Sequence, residues 1–344
     1  MRGPEGWTVL RPSPDTKFVF VSSSDGDDAH DGLNPFRPKR TLEQARQLVR
    51  DRFPDWLLLK RGDSWSERLR WSRSGRSFRE PMLIGAYGNK GPRPVVNPPP
   101  DESALEVQTG CLRYLAIAGI AFVGSGSTSH IGLHICANTG DGLLIEDCLI
   151  RGFRENVLVK AKKAWGGYGN VQFRRCVVAD ATSTDAGACV GIGVDSVHGL
   201  SIEDCVFDAI GRPEHTGAVN HTQGDSIRVA STCSPAIFNG NILSRGRCPA
   251  FEECWAHDNL FALNDAATGQ DEREAQDESR EPVGISVSCP KHAHWIQRYF
   301  EEVGGASGGL ESFIAKAKGM SRDTWDIRFT AAAVNAFVRK MVER

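Results

Sequence analysis

Lys160, Asp195, His221, Asp225 and Arg228 have the side-chain types for acid–base chemistry. Lys160 closes the segment NVLVK and Arg228 lies within SIRVA; IGLHI, with His134, and VGIGV, with Gly193, have the same alternation of apolar and other residues. That period of two is a strand signal. If the four segments stack in register, His134 and Lys160 stand one rung apart. Lys160 and Arg228 then stand two rungs apart, about 10 Å at about 4.8 Å per rung, with Gly193 leaving room between them. Taking a proton α to a carboxylate and expelling a β-oxygen needs a base, a cation for the enolate and an acid. Lys160 and Arg228 suit the base and acid roles. The stretch Gly211 to Arg228 adds His215, Asn220, His221 and Asp225 in one long loop. There His221 with Asp225 makes an oriented base, and Asp195 with Asp225 makes the carboxylate pair of a glycosidic hydrolysis. His134, His198, His215 and Asn220 are candidate substrate contacts. Each has a plainer reading, since outward Lys and Arg on a sheet often only keep it soluble and a polar loop often only satisfies its own hydrogen bonds.

The elements that would position these residues repeat. LAIAGIAF, LLIEDCLI, VQFRRCVV, LSIEDCVF and AIFNGNIL share one pattern, with Ile120, Cys148, Cys176, Cys205 and Asn241 at the sixth place. The spacings are 28, 28, 29 and 36 residues, so the period holds and the last repeat carries the insertion. Short β segments at a fixed period mark a solenoid, whose units bury their apolar faces only by stacking. About 28 residues and two or three short strands per coil suit a right-handed parallel β-helix, an all-β solenoid. The Cys/Cys/Cys/Asn column lines an interior turn, and its thiols read as small buried hydrophobes rather than disulfides. After Asn241 the period shortens, and Asn259 takes the ladder place only 18 residues on.

The rest of the chain reads as service to that solenoid. Residues 1–55 hold a strand at Phe18 to Ser24, a polar loop and a capping helix from Thr41, with Leu42, Ala45, Leu48, Val49 and Phe53 at helical spacing. The loop DGDDAHDGLNP departs from a calcium loop at three places, so a surface turn is expected. Residues 56–264 form the β-helix, 265–290 an acidic linker and 291–344 a helical tail. The tail's apolar stripe closes the second end, docks on the flank or serves an oligomer. Cys289, His292 and His294 fit no zinc spacing. With 344 residues, 40% hydrophobic content and a net charge of −2, the chain has no global pull toward nucleic acid. No apolar run approaches the roughly 20 residues of a membrane span, and the first residues do not read as a signal peptide. Between Lys60 and Arg93, nine bases and three acids leave a local charge of +6 with Trp65, Trp71, Phe78 and Tyr87 interleaved. That segment suits an anionic polysaccharide, with Trp65 and Arg76 as candidate contacts.

The run FVFVSSSDGDDAHDGLNPFRPKRTLEQA, followed by LLLKRGDSW, SGRSFREPMLIGAYG and the IEDC repeats, resembles bacterial right-handed β-helix proteins of the pectate-lyase-like superfamily. Its opening is similar to that of alginate lyases and chondroitinase B. The resemblance covers most of residues 7 to 263 and implies a secreted or cell-surface protein acting on an acidic polysaccharide. It also implies Lys and Arg as base and acid, in some members with calcium on the substrate carboxylate. The acidic cluster that holds calcium there is not evident here. The expectation is a polysaccharide lyase, with a non-catalytic glycan-binding module and a hydrolase using Asp195 and Asp225 as rivals.

Overall fold

Parallel pairing joins the described strands from Phe18 to Ser286. The computed structural model describes residues 2–89, 91–125, 130–183, 189–211, 224–230, 233, 235–246, 254–262, 284–287, 289, 291–304 and 309–343. Every ladder between its strands is parallel, in one sheet of thirteen strands and one of nine. The chain crosses between them in each coil. Tyr168–Arg174 lies in the larger sheet, Val177–Ala181 in the smaller, and Val190–Asp195 and Val197–Glu203 return to the larger before Val206–Ile210 rejoins the smaller. A coil therefore has three faces. Leu105–Ala118 and Ile131–Glu146 each run as one bent strand across two of them.

Left-handed backbone makes the corners. Gly119, Asp147, Arg175, Asp204, Gly240 and Asp258 all have positive φ, one immediately before each interior ladder position. A second column, Tyr114, Gly142, Asn170 and Gly199, bends the chain between the first two faces. Five of these ten carry a side chain that is neither Asn nor Gly, although left-handed backbone costs an L-residue about 1 kcal/mol or more. The stack repays that cost with hydrogen bonds. Asn241 Oδ1 accepts from Cys205 N at 3.0 Å while its Nδ2 donates to Ile202 O at 2.8 Å. Asn259 Oδ1 accepts from Asn241 N at 3.0 Å. Cys176 Sγ lies 3.3 Å from Ile145 O. Cys148, Cys176 and Cys205 are free, buried thiols, as expected.

The termini hold the outside of two faces. Thr41 caps a helix, α1 (Leu42–Gln47), that is shorter than the spacing to Phe53 implied. Asp55 accepts from Arg50 N, and Phe53 lies beneath the guanidinium of Arg50 instead of extending the apolar stripe. Leu42, Ala45 and Val49 still enter the interior cluster. Phe18–Val21 is itself the first rung, paired with Trp56–Lys60, so residues 1–55 are continuous with the coils. Gly284–Ser286, inside the expected linker, pairs with Asn259–Ala262; most of that linker lies outside the described residues. Helices α2 (Ala293–Gly304), α3 (Leu310–Gly319) and α4 (Ala331–Val342) follow the last described strand. Ile296, Phe300, Phe313, Ile314, Val334 and Val338 pack on Val177, Val206, Ile242 and Leu260 of the smaller sheet. The tail docks on the flank, and the stripe that suggested an oligomer is covered by the chain's own sheet.

Two outcomes follow. Asn241→Ala removes the acceptor for Cys205 N inside the stack and should cost about 2–4 kcal/mol in urea unfolding, where Cys176→Ala costs about 1–2. Asp208 is buried and accepts from Arg245 Nε at 2.8 Å and, from α3, Lys318 Nζ at 2.6 Å. Burial pushes its carboxyl up, but these bonds outweigh that and hold it below the usual range. A depressed carboxyl stabilises above its unfolded value of about 3.9 and loses the contribution as pH falls through the lower folded value. Proteolysis of the tail should therefore stay constant from pH 8 to 5 and rise below about pH 4. Asp208→Asn should raise it at neutral pH.

Candidate functional site

Of the three outer faces, the tail covers one and the apolar side chains of Leu58, Leu83, Ala116 and Leu144 cluster with Leu10 on another. The third is built from the first parts of Leu105–Ala118 and Ile131–Glu146, together with Glu155–Lys160, Val190–Asp195 and Asp225–Val229. Its inward residues Val107, Ile135, Val159, Ile192 and Ile227 fill the core. Its outward residues belong to no apolar cluster. They form two rows fixed by strand register. Glu106, His134, Leu158, Gly193 and Arg228 make the first; Gln108, Cys136, Lys160 and Asp195 make the second.

This corrects one detail of the sequence register. Lys160 faces Cys136 and Asp195, two residues along from the row of His134 and Arg228. All still share one face. A two-strand offset and a two-residue offset put the Lys160 and Arg228 backbones about 12 Å apart. Gly193 lies between them, and a Cβ placed there would meet only ordinary contacts, the nearest Leu158 Cδ1 at 3.5 Å.

The charges alternate. Lys160 Nζ is 3.5 Å from Asp195 Oδ2, with the lysine side chain 57% exposed. Arg228 Nε donates to Asp225 Oδ2 at 2.7 Å. Arg68 reaches Glu106 at 3.1 Å from the other edge. His134 Nε2 lies 3.1 Å from Cys136 Sγ. Burial pushes the His134 imidazole below its ordinary value, against the opposing pull of Glu106 and Glu155. Burial raises the Cys136 thiol, with Lys160 opposing. Among the described residues this face thus carries an imidazole and a thiol side by side and, flanking the buried Gly193, two ion-paired cations.

The remaining sequence candidates scatter. Asp225 pairs with Val190, five residues before Asp195 on its strand. The two backbones lie about 17 Å apart, and two aspartate side chains cannot close that to the roughly 5–9.5 Å of a glycosidase pair. The Asp195–Asp225 hydrolase is therefore excluded by register. His198 sits on the second face, beside Gly169. Trp65 is interior, its Nε1 donating to Arg40 O at 2.9 Å, because an indole in a parallel strand packs inside once its one donor is satisfied. Arg76 pairs with Asp15 and Glu80 and lines a separate cleft of about 580 Å³ with Arg52 and Arg113. Most of the basic segment is spent on similar ties: Lys60 to Asp25, Arg61 to Asp323, Arg93 to Asp147. His215, Asn220 and His221 lie outside the described residues.

In the N-terminal loop, Asp27 and Asp31 accept from backbone amides of Ala29 and Leu33, Asp28 from Arg40 and Thr41, and Asp25 pairs with Lys60. It is a hydrogen-bonded turn. Among the described residues no three His, Cys, Asp or Glu side chains converge to hold a metal ion. Sequence reading missed Glu106, Gln108 and Cys136. The signal was present, since LEVQTG alternates like IGLHIC one period earlier.

No protein-family model and no curated protein matches the chain. Among solved structures, a rhamnogalacturonan lyase is similar at 13% identity and TM-score 0.44, covering 72% of this chain and 73% of that one. A GH136 lacto-N-biosidase from Eubacterium ramulus is similar at 16% and 0.35, covering 72% of this chain; the chain spans 55% of that protein's length. An alginate lyase from Paenibacillus sp. str. FPU-7 is similar at 13% and 0.31, covering 73% and 94%. At such identities and TM-scores these likenesses carry no inference about what this chain does.

Proposed function

We propose that the chain is a right-handed parallel β-helix that binds an acidic polysaccharide across its open face and cleaves it by β-elimination. Right-handedness rests on the chirality of parallel crossovers, about 98% of which are right-handed. The observation that carries the functional reading is the pair of register rows, which puts His134, Lys160 and Arg228 on one face, with Gly193 between Lys160 and Arg228 and Leu158 between Gly193 and His134. A uronate laid across this face at Gly193 meets Arg228 through its carboxylate as a fork, which strengthens as the enolate forms. His134, kept neutral by burial, is suited to take the α proton. Lys160 is suited to protonate the leaving oxygen, its charge held in place by Asp195. Calcium enters this reading only through the family resemblance.

One observation favours a binding module without turnover: Lys160 and Arg228 each already have a carboxylate partner. The two readings separate in one experiment. Ultraviolet absorbance of the unsaturated uronate product is followed on alginate, pectate, chondroitin, dermatan and heparan, with and without calcium, beside affinity electrophoresis in the same gels. β-Elimination predicts a rise that His134→Gln and Lys160→Ala each lower by about 100-fold or more. Gly193→Val, which adds a side chain between Lys160 and Arg228 without straining the strand, should abolish retardation and product together. Retardation without product leaves the binding module; neither in any glycan ends both readings.

The pH profile is a second check. A base must be unprotonated, and burial sets the His134 value below the usual imidazole. The acid limb of kcat/KM should therefore fall below about pH 6.5, shifted lower again by Glu106→Gln, because that carboxylate pulls the imidazole up.

A further inference from the structure

Cys136 and His134 stand two residues apart on one strand, so both side chains project from the same side of the sheet. Sγ and Nε2 are 3.1 Å apart, inside hydrogen-bond reach for sulfur. Register adds a third group. Lys160 is the direct neighbour of Cys136 on the next strand, and its charge favours the thiolate. On the other side Glu106 is in register with His134 and, with Glu155, favours the imidazolium. Thiol, imidazole, carboxylate and ammonium therefore lie on neighbouring strands, as nucleophile, base, a charge that favours the protonated base, and counter-cation. The half-buried thiols of Cys111 and Cys289 have no imidazole within hydrogen-bond distance among the described residues. Glycan cleavage does not use the thiol.

We infer that Cys136 is a covalent modification site at which this protein exchanges with low-molecular-weight disulfides, with His134 as its base. The step balances within the reactants. With its proton on Nδ1, His134 takes the thiol proton at Nε2 as Cys136 sulfur attacks one sulfur of the disulfide. A Cys136–sulfur bond forms, the reagent's S–S bond breaks, and its other half leaves as a thiolate. Cys136 is oxidised and the departing half reduced. At rest both partners are neutral, since burial raises the thiol and lowers the imidazole. Proton transfer therefore accompanies attack. The site stands whether or not the glycan reading holds.

The test is reaction of the intact protein with 5,5′-dithiobis(2-nitrobenzoate), a small aryl disulfide, with release of the coloured thiolate followed in time. The expected result is one fast phase that is lost in Cys136→Ser, slowed about tenfold or more at pH 7 in His134→Gln, and partly restored there by added imidazole. In the unmodified protein the fast rate should level off once the imidazole is neutral, while in His134→Gln it should climb tenfold per pH unit toward the thiol's own value. A fast phase that survives in Cys136→Ser overturns the assignment. So does a wild-type rate that climbs tenfold per unit from pH 7 to 8.5, a reading that needs no variant to fold.

Discussion

The stack depends on how one coil finishes the hydrogen bonds of the next. Each corner before the interior ladder turns through a left-handed residue, which leaves backbone amides pointing inward with no strand partner. An unpaired amide in that dry interior would cost about 1–3 kcal/mol. The side chain at the following position supplies the partner from the adjacent coil: Asn259 serves Asn241, and Asn241 serves Cys205. Farther along, Cys205 Sγ lies 3.5 Å from Cys176 N, a weaker version of the same contact. With the corner fixed, strand register follows, and with register the outward rows. The position of Lys160 beside Asp195 is thus settled inside the stack, on the far side of the sheet from both.

That dependence explains what was legible in the sequence. The ladder of Cys148, Cys176, Cys205 and Asn241 could be seen because interior geometry constrains residue type at a fixed period. Thr41 as a cap and the three tail helices were equally visible, being local signals. Outward positions are free of that constraint, so pattern alone left a two-residue ambiguity that keeps the same face, and it was at this level that Lys160 was paired with Gly193 instead of Asp195. Trp65 and the basic segment misled for another reason. Indole and guanidinium suit sugar binding and structural ties equally well, and only partners such as Arg40 O, Asp15 and Asp147 tell which applies. The same holds for Asp195 and Asp225, whose separation along the strand is invisible until register is known.

Electrostatics divide the molecule as sharply as packing does. Arg174 and Glu146 form a pair with both side chains 3% exposed, bonded also to Thr8 and Gly6. Such buried pairs contribute little net stability but penalise any arrangement that separates them, here any misplacement of the N-terminal arm. The open face has the opposite character. The Lys160–Asp195 pair, with side chains 57% and 33% exposed, is solvent-screened and worth about 0–1 kcal/mol, so an anionic ligand can displace Asp195 from its cation at small cost.

Arg175 lies between Trp7 and Trp325, its guanidinium 4.3 Å from each ring centroid. Arg174 bonds Gly6 across 168 residues and Arg93 bonds Met320 across 227. The coils between can form in sequence as the chain is made, each on the last, because their contacts are with immediate neighbours. The clasp cannot. It waits for Trp325, which follows all the described strands in the chain, and closing so long a loop is slow relative to local pairing. Until then the outer surface of the smaller sheet, with Val177, Val206, Ile242 and Leu260, has no cover. A stalled or truncated chain would therefore present a finished stack with one apolar side, a ready target for chaperones or for self-association.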